Sequence, residues 1–405
     1  MPHVVAGLVT PESVVNPDTM FTNNKINLII DKAKHIDAKG KKVELCDGRK
    51  IPYDKLILST GARPFIPPIE GRDLKGVFTM RSLRDAEQIK SHLDEAKPQK
   101  LIFIGSGFIS LEVASLLTTT HPDTYDMTVI ELLNHPLPLM IDRELGAEIL
   151  SYFEEKGIKM LMGRKVEKVL EHEGAVSGVE LGDGKKVDAD MVFVNVGARP
   201  NLELANEIGL EVGNYGIKVN KFLETSDPDI LAAGDCVEKE HFITRQPVPG
   251  LLRGPAVIQG RLAAKRLAGF EIEFPGVLNN SVCKLFDKSI ASTGLTEEQA
   301  QKEGFDTVSA TVTSRSKHGM IPEVKPWTLK LVFDKKTQKL IGGQIISDAE
   351  VPAKEIDNIN ALILGGKSVS DLTTLMCAGN PDLSSEPSLE PITIAAEQAL
   401  QKLRG

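Results

Sequence analysis

Hydrophobic positions between Lys100 and Glu131 follow a pattern that alternates between two kinds of element. The apolar, β-prone run 101–104 predicts a buried parallel strand, and the run 127–130 predicts a second strand that ends at Glu131. The apolar segment 111–117 between them predicts a helix. The order strand, helix, strand predicts a βαβ unit, in which two parallel strands are joined by a crossover helix.

The turn between the first strand and the helix has the form G-x-G-x-x-S and begins at Gly105. Gly105 permits the tight turn, and Gly107 lets the backbone approach a pyrophosphate beside the free N–H groups of the helix N-terminus. Glu131 can bond the adenosine ribose hydroxyls, and its charge repels a 2′-phosphate, so NADH is favoured over NADPH. Ser110 in place of a third glycine and the long connection 121–125 depart from the usual pattern. The alternative is an ordinary strand–helix turn that contains glycine.

The rest of the chain also carries periodic segments, and their character changes past Pro275. Before that point, strands and helices alternate, whereas strands followed by helices predict an α+β region after it. The predicted strands include 26–30, 42–45, 56–58, 191–196 and 230–232, with a meander at 165–170, 176–181 and 186–187. The predicted helices include 81–93, 143–156, 260–267 and 392–403.

Two distant segments of the chain have similar sequences. Residues 54–64 match residues 190–200, since each is a strand that ends in G-A-R-P. A strand and turn that occur twice predict two related nucleotide-binding domains. The alternative is that the four residues agree by chance. Further on, the strand 230–232 delivers Gly234-Asp235 to a sheet edge, where Asp235 bonds a ribityl hydroxyl or serves as a local cap.

Composition narrows the class of protein. The 405 residues suit two or three domains, and the net charge of −8 with a pI of about 5.6 argues against nucleic-acid and anionic-membrane partners. No apolar run reaches the length of a membrane span. Four scattered cysteines fit a reducing, cytoplasmic location, and the eight histidines show no metal-ligand spacing, so no metal site is predicted.

Three motifs now stand in order: G-x-G-x-x-S-x-E, G-A-R-P, and T-S-x-P-D-I-x-A-A-G-D, which ends at Asp235. This set resembles the pyridine nucleotide–disulfide oxidoreductases, within the branch of NADH oxidases, coenzyme A-disulfide reductases and NADH-dependent persulfide reductases. The resemblance covers essentially the whole chain. It implies an α/β fold with two nested Rossmann-like FAD- and NAD-binding domains and an α+β dimerisation domain. The implied bounds are 1–75 with 201–272 for the split, incomplete FAD domain, 76–200 for the NAD domain, and 276–405 for the dimerisation domain.

The resemblance also implies cofactors and site residues. Hydride would pass from NADH through FAD to a thiol-type acceptor, which is a disulfide or persulfide, or to oxygen. Phe108 and Glu112 would position the nicotinamide against the flavin, although a packed aromatic and a helix-dipole acid are the alternative. The residues implied to bind NAD are Gly105, Gly107, Phe108, Ile109, Ser110, Glu131 and Gly197. The residues implied to bind FAD are Ser59, Thr60, Gly61, Arg63, Gly234 and Asp235.

Two departures from the family pattern concern catalysis. Family members begin with a strand, a G-x-G-x-x-G turn and a helix for the ADP half of FAD, whereas no such motif precedes Gly105. The redox cysteine of disulfide-reducing members lies just beyond that segment. The expectation is therefore a chain shortened at its N-terminus, or one that has lost flavin binding, with poor or no FAD binding in either case.

The cysteines and the C-terminal loop leave alternatives open. Asn380-Pro381 stands where paired-cysteine reductases carry His-Pro, and an amide cannot shuttle protons at neutral pH. Cys377 in that loop is either a thiol that approaches a partner's flavin or a small packed residue, and the other three cysteines are predicted to be packed. The function is predicted to be that of a homodimeric FAD-dependent NADH oxidoreductase. The alternatives are a reductase of a small redox protein and a flavin-free fragment.

Overall fold

The computed structural model describes residues 1–404. Its α-helices are α1 (Pro2–Val5), α2 (Thr19–Thr22), α3 (Leu83–Ala96), α4 (Phe108–Thr120), α5 (Arg143–Glu155), α6 (Glu203–Glu207), α7 (Arg253–Leu267), α8 (Glu297–Lys302), α9 (Glu355–Leu364), α10 (Val369–Leu372) and α11 (Pro391–Arg404). Short 3₁₀ helices span Glu12–Val14, Val351–Lys354 and Pro387–Leu389. None of the helices in residues 1–404 is both long enough and apolar enough to cross a membrane.

The strands are given in chain order. They are β1 (Ala33–Asp37), β2 (Lys42–Leu45), β3 (Lys50–Pro52), β4 (Leu56–Leu58), β5 (Ala62–Pro64), β6 (Val77–Phe78), β7 (Lys100–Ile104), β8 (Asp126–Ile130), β9 (Lys159–Leu161), β10 (Val166–His172), β11 (Ala175–Leu181), β12 (Lys186–Asp188), β13 (Met191–Val194), β14 (Ala198–Pro200), β15 (Ile230–Ala232), β16 (Lys239–Glu240), β17 (Pro247–Val248), β18 (Ser281–Leu285), β19 (Lys288–Gly294), β20 (Thr307–Arg315), β21 (Pro326–Asp334) and β22 (Leu340–Ser347).

Contacts divide the chain into two compact units. Unit 1 combines Met1–Leu8, Ile66–Val196 and the chain from Leu278 onward, and unit 2 combines Val9–Phe65 with Gly197–Val277. Each unit is therefore discontinuous in sequence, and the chain enters and leaves unit 2 more than once.

The first half of unit 1 is built on a five-stranded parallel sheet. Its strand order is β6-β13-β7-β8-β9, with every neighbouring pair parallel. The centre of the sheet is apolar on both faces, and the rings of Phe103 and Phe193 stack with centroids 4.5 Å apart. This arrangement confirms the predicted βαβ unit, since β7, α4 and β8 follow one another in the chain. The predicted meander is also confirmed, as the antiparallel sheet β10-β11-β12.

The second half of unit 1 is an antiparallel sheet with the order β18-β19-β22-β21-β20, accompanied by helices α8 to α11. Strands followed by helices are what the sequence predicts for this region, and the α+β character is confirmed. A buried ionic network lies where α5 and α8 begin. Lys330 pairs with Asp142 at 2.9 Å, with Glu297 at 2.8 Å, and with Glu144. Its single ammonium group therefore bridges three carboxylates.

Unit 2 consists of small sheets. It holds the antiparallel sheet β1-β2-β3, the parallel pair β4-β15, and the antiparallel pairs β5-β14 and β16-β17. Apolar side chains of β4 and β15, including Leu58 and Ile230, are buried in its core. The parallel pairing of β4 with β15 places the ends of both strands at one edge, so the turns that follow them are neighbours.

One predicted element of unit 2 is wrong, and a second is confirmed but begins earlier than predicted. The segment 26–30 forms no strand, and its apolar side chains are exposed, with Ile30 at 85%. A β-prone run becomes a strand only where a neighbour pairs with it, and none of the described strands does so here. The helix predicted over 260–267 begins earlier, at Arg253.

Candidate functional site

The glycine turn after β7 has the geometry of a phosphate cradle. Gly105 has φ +93°, and a Cβ atom there would lie 2.7 Å from the carbonyl oxygen of Asn195, so only glycine fits. Gly107 has φ −70°, and no atom lies within 4 Å of where its Cβ would be. The protein's own packing therefore gives no reason for glycine at Gly107, which faces open space. No side chain caps α4, whose first N–H groups lack partners within the helix.

Glu131 holds this turn from the end of β8. Its Oε2 accepts hydrogen bonds from the Ser106 N–H at 2.8 Å and the Ser106 hydroxyl at 2.9 Å. Its Oε1 accepts from the Leu133 N–H at 2.9 Å. The carboxylate is therefore fixed beside the glycine turn, and Oε1 retains capacity for a further donor such as a ribose hydroxyl.

Asn195, just beyond β13, is a residue that the sequence reasoning passed over. Its Oδ1 accepts from the Met80 N–H at 3.2 Å, and its Nδ2 donates to the Ser110 hydroxyl at 3.3 Å. Ser110 is fully buried, which is where a small residue in the third-glycine position is expected. The only sequence signal for Asn195 is a polar residue that interrupts an apolar strand.

The first turn of α4 places the remaining residues predicted to face the nicotinamide. Phe108 and Ile109 are half-buried, and Glu112 lies one turn further along the helix. Burial raises the pKa of Glu112 to about 7, and a backbone hydrogen bond from Lys284 only partly offsets it. Glu112 therefore changes charge near neutral pH. The roles predicted for Phe108 and Glu112 stay predictions.

In unit 2, the turn after β15 is held by two buried side chains. Gly234 has φ +88°, its N–H donates to Gln259 Oε1 at 2.9 Å, and its carbonyl accepts from Lys239 Nζ at 2.6 Å. Gln259 comes from α7 and Lys239 from β16. The predicted FAD residue Asp235 follows directly and is half-buried. Neither Gln259 nor Lys239 was predicted as a site residue, because each is remote from any motif.

The two G-A-R-P segments form one antiparallel ladder. Ala198 pairs with Pro64, Arg199 with Arg63, and Pro200 with Ala62. The two similar sequence segments are therefore paired strands related by a local pseudo-twofold axis, rather than strand-and-turn elements at two separate places. The Phe65 N–H donates to the Gly197 carbonyl at 2.9 Å and extends the ladder.

The predicted FAD and NAD residues around this ladder differ in the hydrogen bonds that they already make within the protein. Thr60 Oγ1 donates to the Asn201 carbonyl at 2.7 Å, and Arg63 bonds the Asn201 and Glu203 side chains. Gly61 and Gly197 have positive φ with open space beside them, and Ser59 is exposed. Gly61 thus leaves open space beside its Cα, although its carbonyl accepts from the Asn201 N–H at 2.9 Å, and the Thr60 hydroxyl already has an acceptor.

The four cysteines differ in burial and in their neighbours. Cys236 is buried beside Asp235, where its thiol contacts the Ala233 carbonyl at 3.3 Å. Burial raises the pKa of the Cys283 thiol, which keeps it protonated and inert. Cys46 and Cys377 are exposed, so the prediction that Cys46 is packed, and the packed alternative for Cys377, are wrong. Cys46 follows β2 rather than lying within it.

The C-terminal loop carries Asn380-Pro381, and a histidine from elsewhere contacts it. The His318 N–H donates to the Pro381 carbonyl at 2.9 Å. His318 Nε2 lies 3.1 Å from Glu386 Oε1. An imidazole is therefore present beside the loop, although the sequence places it far from the asparagine.

Comparison with known families gives two matches that together span most of the chain. The model described as pyridine nucleotide-disulphide oxidoreductase matches residues 4–256. The model of the dimerisation domain of the same family matches residues 281–390. The boundary between the two matches falls near the change of character that the sequence shows past Pro275.

Similar proteins and structures carry related names. The NADH oxidase of Methanocaldococcus jannaschii is 35% identical over 396 residues, which cover 98% of this chain and 83% of that protein. The CoA-dependent NAD(P)H sulfur oxidoreductase of Pyrococcus furiosus is 33% identical over 404 residues, with coverages of 98% and 88%. The structure of an NAD-dependent persulfide reductase from A. fulgidus superimposes with a TM-score of 0.93 at 32% identity, covering 100% of this chain and 76% of that one.

Proposed function

This chain belongs to the pyridine nucleotide-disulphide oxidoreductase family, and from that premise we propose that it is an FAD-dependent oxidoreductase that takes hydride from NADH. The electrons pass to a thiol-type acceptor, which is a disulfide or persulfide, or to oxygen. The observation that carries the proposal is the open space at Gly107, beside the uncapped N-terminus of α4 and the fixed carboxylate of Glu131. Packing does not explain that glycine, whereas a bound pyrophosphate does.

The residues present in unit 2 fit a flavin nucleotide. The test is the turn after β4, where Gly61 has φ +66° and no atom lies within 4 Å of its Cβ position, so a ligand can lie close to the chain there. Bound FAD would supply the chemistry that the side chains lack, namely acceptance of hydride and its delivery as electrons to the acceptor.

Two sets of residues are proposed to hold the nucleotides. For NAD these are Gly105, Gly107, Phe108, Ile109, Ser110, Glu131 and Gly197. For FAD they are Ser59, Thr60, Gly61, Arg63, Gly234 and Asp235. Phe108 and Glu112 would orient the nicotinamide and exclude water from it.

NADH is the proposed donor rather than NADPH. The Glu131 carboxylate is fixed by three hydrogen bonds and cannot readily turn away from the ribose of the adenosine. A 2′-phosphate placed there would meet a negative charge of low mobility.

A sulfur compound is the proposed acceptor class, with oxygen as the second. Relatives at 32–33% identity are named as sulfur and persulfide reductases, while the relative at 35% identity is named an NADH oxidase. All of these reactions begin with the same transfer from the nicotinamide to the flavin, so the acceptor is decided by residues outside the two turns.

The proposed domain division is the one the sequence indicates: 1–75 with 201–272, 76–200, and 276–405. The proposed assembly is a homodimer, supported by the dimerisation-domain match over residues 281–390. The proposed location is the cytoplasm, which suits four cysteines that form no disulfide.

The test is an absorbance spectrum of the purified protein with FAD, before and after NADH is added without oxygen. A flavin band that forms with the protein and bleaches on addition of NADH supports the proposal, and screening of disulfides, persulfides and oxygen then identifies the acceptor. Because the sequence predicts weak FAD binding, FAD is added in large excess, and a protein that binds NADH but neither binds nor reduces FAD under that condition would refute the flavin-dependent function. A protein that binds neither nucleotide would refute the whole proposal.

A further inference from the structure

The residue between the two glycines of the first turn is held by hydrogen bonds on both sides. The N–H and the hydroxyl of Ser106 donate to Glu131, and its carbonyl accepts from the Leu137 N–H at 3.1 Å. Ser106 is also fully buried. Glu131 therefore fixes one side of this residue, and Leu137 fixes the other.

The bond from Leu137 sets the direction of a free donor in the turn. The Ser106 carbonyl and the Gly107 N–H belong to one trans peptide unit, so they point in opposite directions. Within residues 1–404 the Gly107 N–H has no acceptor, and open space lies at the Cβ position of that residue. By holding the carbonyl, Leu137 therefore keeps the Gly107 N–H aimed in one direction, where it can donate to a ligand oxygen.

Leu137 has a backbone conformation that needs support from its surroundings. Its φ is +52°, in the left-handed region that bulky side chains rarely adopt, and its side chain is buried. Such a conformation persists only where the surrounding structure enforces it. Leu137 lies in the connection 132–142, called the β8–α5 segment below, which contains no helix or strand. The support must therefore come from the points where this segment is attached.

Asp142 attaches the end of the β8–α5 segment to the second half of unit 1. Its N–H donates to Gln344 Oε1 at 2.7 Å, and its carboxylate accepts from Gln344 Nε2 at 2.6 Å. The same carboxylate accepts from the Glu297 and Glu298 N–H groups at 3.1 and 3.0 Å. These partners and Lys330 belong to α8, β21 and β22. Asp142 therefore joins the segment to three elements of the antiparallel half.

The position of Asp142 in the chain shows that this attachment is not a local cap. Asp142 is the N-cap residue of α5, yet its side chain accepts no hydrogen bond from that helix. Aspartate at an N-cap ordinarily bonds the N–H groups of its own helix. Here the buried carboxylate turns to α8 and β22 instead, so it links two halves of the unit rather than stabilising α5.

We propose that Asp142 is a positioning residue for NADH, which acts through the β8–α5 segment and the Leu137 N–H to hold the Gly107 N–H toward the pyrophosphate. The inference rests on the proposed function, because it takes the glycine turn as the NAD site. It extends that function by making NADH affinity depend on the region that matches the dimerisation-domain model. Neither Asp142 nor Leu137 belongs to a sequence motif.

Asp142→Asn is the variant that loosens the attachment. It keeps one oxygen acceptor for α8 but removes the charge that Lys330 and Gln344 Nε2 contact. The double variant Asp142→Asn with Gln344→Glu exchanges amide and carboxylate across the same hydrogen bond and so restores a matched pair. Glu297→Gln is the control, because Glu297 also pairs with Lys330, at 2.8 Å, but lies outside the β8–α5 segment. NADH affinity is measured by fluorescence titration, and thermal unfolding is followed without nucleotide.

The expected result is a dissociation constant for NADH that rises about fivefold in Asp142→Asn and returns to within about twofold of the parent in the double variant. Glu297→Gln should lower the unfolding temperature as Asp142→Asn does, since each variant removes one carboxylate from Lys330. It should leave NADH affinity unchanged, because the β8–α5 segment keeps its attachment.

Unchanged NADH affinity in a folded Asp142→Asn protein would overturn the inference, since Asp142 would then serve the fold alone, and the proposed function would stand. An equal loss of affinity in Glu297→Gln would also overturn it, by tracing the effect to general destabilisation. So would a loss that persists in a double variant whose unfolding temperature has recovered. A parent protein that binds no NADH would refute the proposed function and the inference together.

A further variant keeps the inference testable if Asp142→Asn does not fold. Gln344→Met is close in volume, removes the two bonds from β22 to Asp142, and leaves the ion pair between Asp142 and Lys330 in place. NADH affinity should fall in this variant as well. An affinity equal to that of the parent would overturn the inference.

Discussion

The two glycine turns, one in each unit, invite comparison because both follow a parallel strand and both need a positive φ. At Gly105 glycine is required for a second reason, since a Cβ atom would also lie 2.7 Å from a backbone oxygen. At Gly234 the nearest atom to a Cβ would be a methyl carbon at an ordinary 3.9 Å. The first turn is therefore shaped by neighbouring backbone, and the second by side chains.

The supports of the two turns also differ in chemistry. A carboxylate, Glu131, holds the first turn by accepting hydrogen bonds, which leaves the helix N–H groups for phosphate oxygens. Donor-bearing side chains, Gln259 and Lys239, hold the second turn and leave donors over. The difference teaches that the first turn leaves the N–H groups of α4 without a side-chain cap, whereas the second leaves the buried Nε2 group of Gln259 without a partner among the described residues.

The largest difference between the two turns is expected when each glycine is replaced by alanine. Gly105→Ala should lower the free energy of unfolding by about 2–4 kcal/mol and abolish NADH binding, because the backbone of Asn195 cannot retreat. Gly234→Ala should cost about 1 kcal/mol, the penalty of the positive φ alone. Denaturant unfolding and NADH titration measure both effects.

Gly157→Ala is the matched control for Gly105→Ala. Gly157 lies in the same unit with φ +83°, and no atom lies within 4 Å of its Cβ position, so only the φ penalty applies. Equal destabilisation by Gly105→Ala and Gly157→Ala would show that the contact with Asn195 is not what shapes the turn.

A smaller effect, mainly on binding, is expected at Gly107. Its φ of −70° suits any residue and its Cβ position is open, but Gly107 is the N-cap of α4, where alanine is disfavoured, so Gly107→Ala should lower the free energy of unfolding by no more than about 1 kcal/mol. The methyl group would occupy the space that the pyrophosphate needs, and the dissociation constant for NADH should rise about tenfold or more. Unchanged NADH affinity in a folded Gly107→Ala protein would argue that the open space is not the cradle.

Replacing Glu131, whose carboxylate supports the first turn, tests whether its charge sets the preference for NADH over NADPH. Glu131→Gln keeps an oxygen for Ser106 and removes the negative charge, so the NADPH to NADH ratio of kcat/KM should rise about tenfold. Asp126→Asn, at the opposite end of the same strand and exposed, is the control and should leave the ratio alone. A ratio that moves equally in both variants would reflect general charge rather than contact with the ribose.

The smallest expected effects concern pH, and they have opposite signs in the two units. The pKa of Glu112 is raised from its usual 4.5 to about 7, so the folded state binds more protons and stability falls as pH rises between these values. The pKa of Lys239 is lowered from 10.5 to about 8, so stability rises with pH from about 8 to 10.5. Each slope should amount to about 1 kcal/mol per pH unit within its pH range.

Glu112→Gln should flatten the slope between pH 4.5 and 7, and Lys239→Met should flatten the one above pH 8. Urea unfolding across the pH range checks both variants. A slope that survives its own variant unchanged would assign the titration to another group.

The sequence predicted the first turn far better than the second, for a physical reason. The strand 101–104, the glycines and Glu131 are close together in the chain, so a local pattern captures them. Gln259 lies 25 residues beyond Gly234 and meets it only through the packing of α7. No periodicity reveals which glutamine of a helix will face a turn.

The failures elsewhere have the same cause. The run 26–30 has strand propensity but no pairing partner among the described strands, and Cys46 was taken as core because it follows an apolar pattern. The repeated G-A-R-P segment was visible in the sequence, but only the tertiary structure shows that its two copies pair as one ladder. Local propensity thus predicts elements, and only packing decides their partners.

The paired ladder also has a consequence for the order in which the chain is assembled. Because β5 is complete only when β14 pairs with it, unit 2 must wait until residues 66–196 have left the ribosome. The parallel sheet of unit 1 needs no strand beyond Val194, so it can form first as a nascent domain. Since Phe65 and Gly197 are hydrogen-bonded neighbours, a short hairpin linking them would give a contiguous unit 2. The chain therefore has the layout of a domain insertion, in which residues 66–196 interrupt unit 2 between two hydrogen-bonded ends.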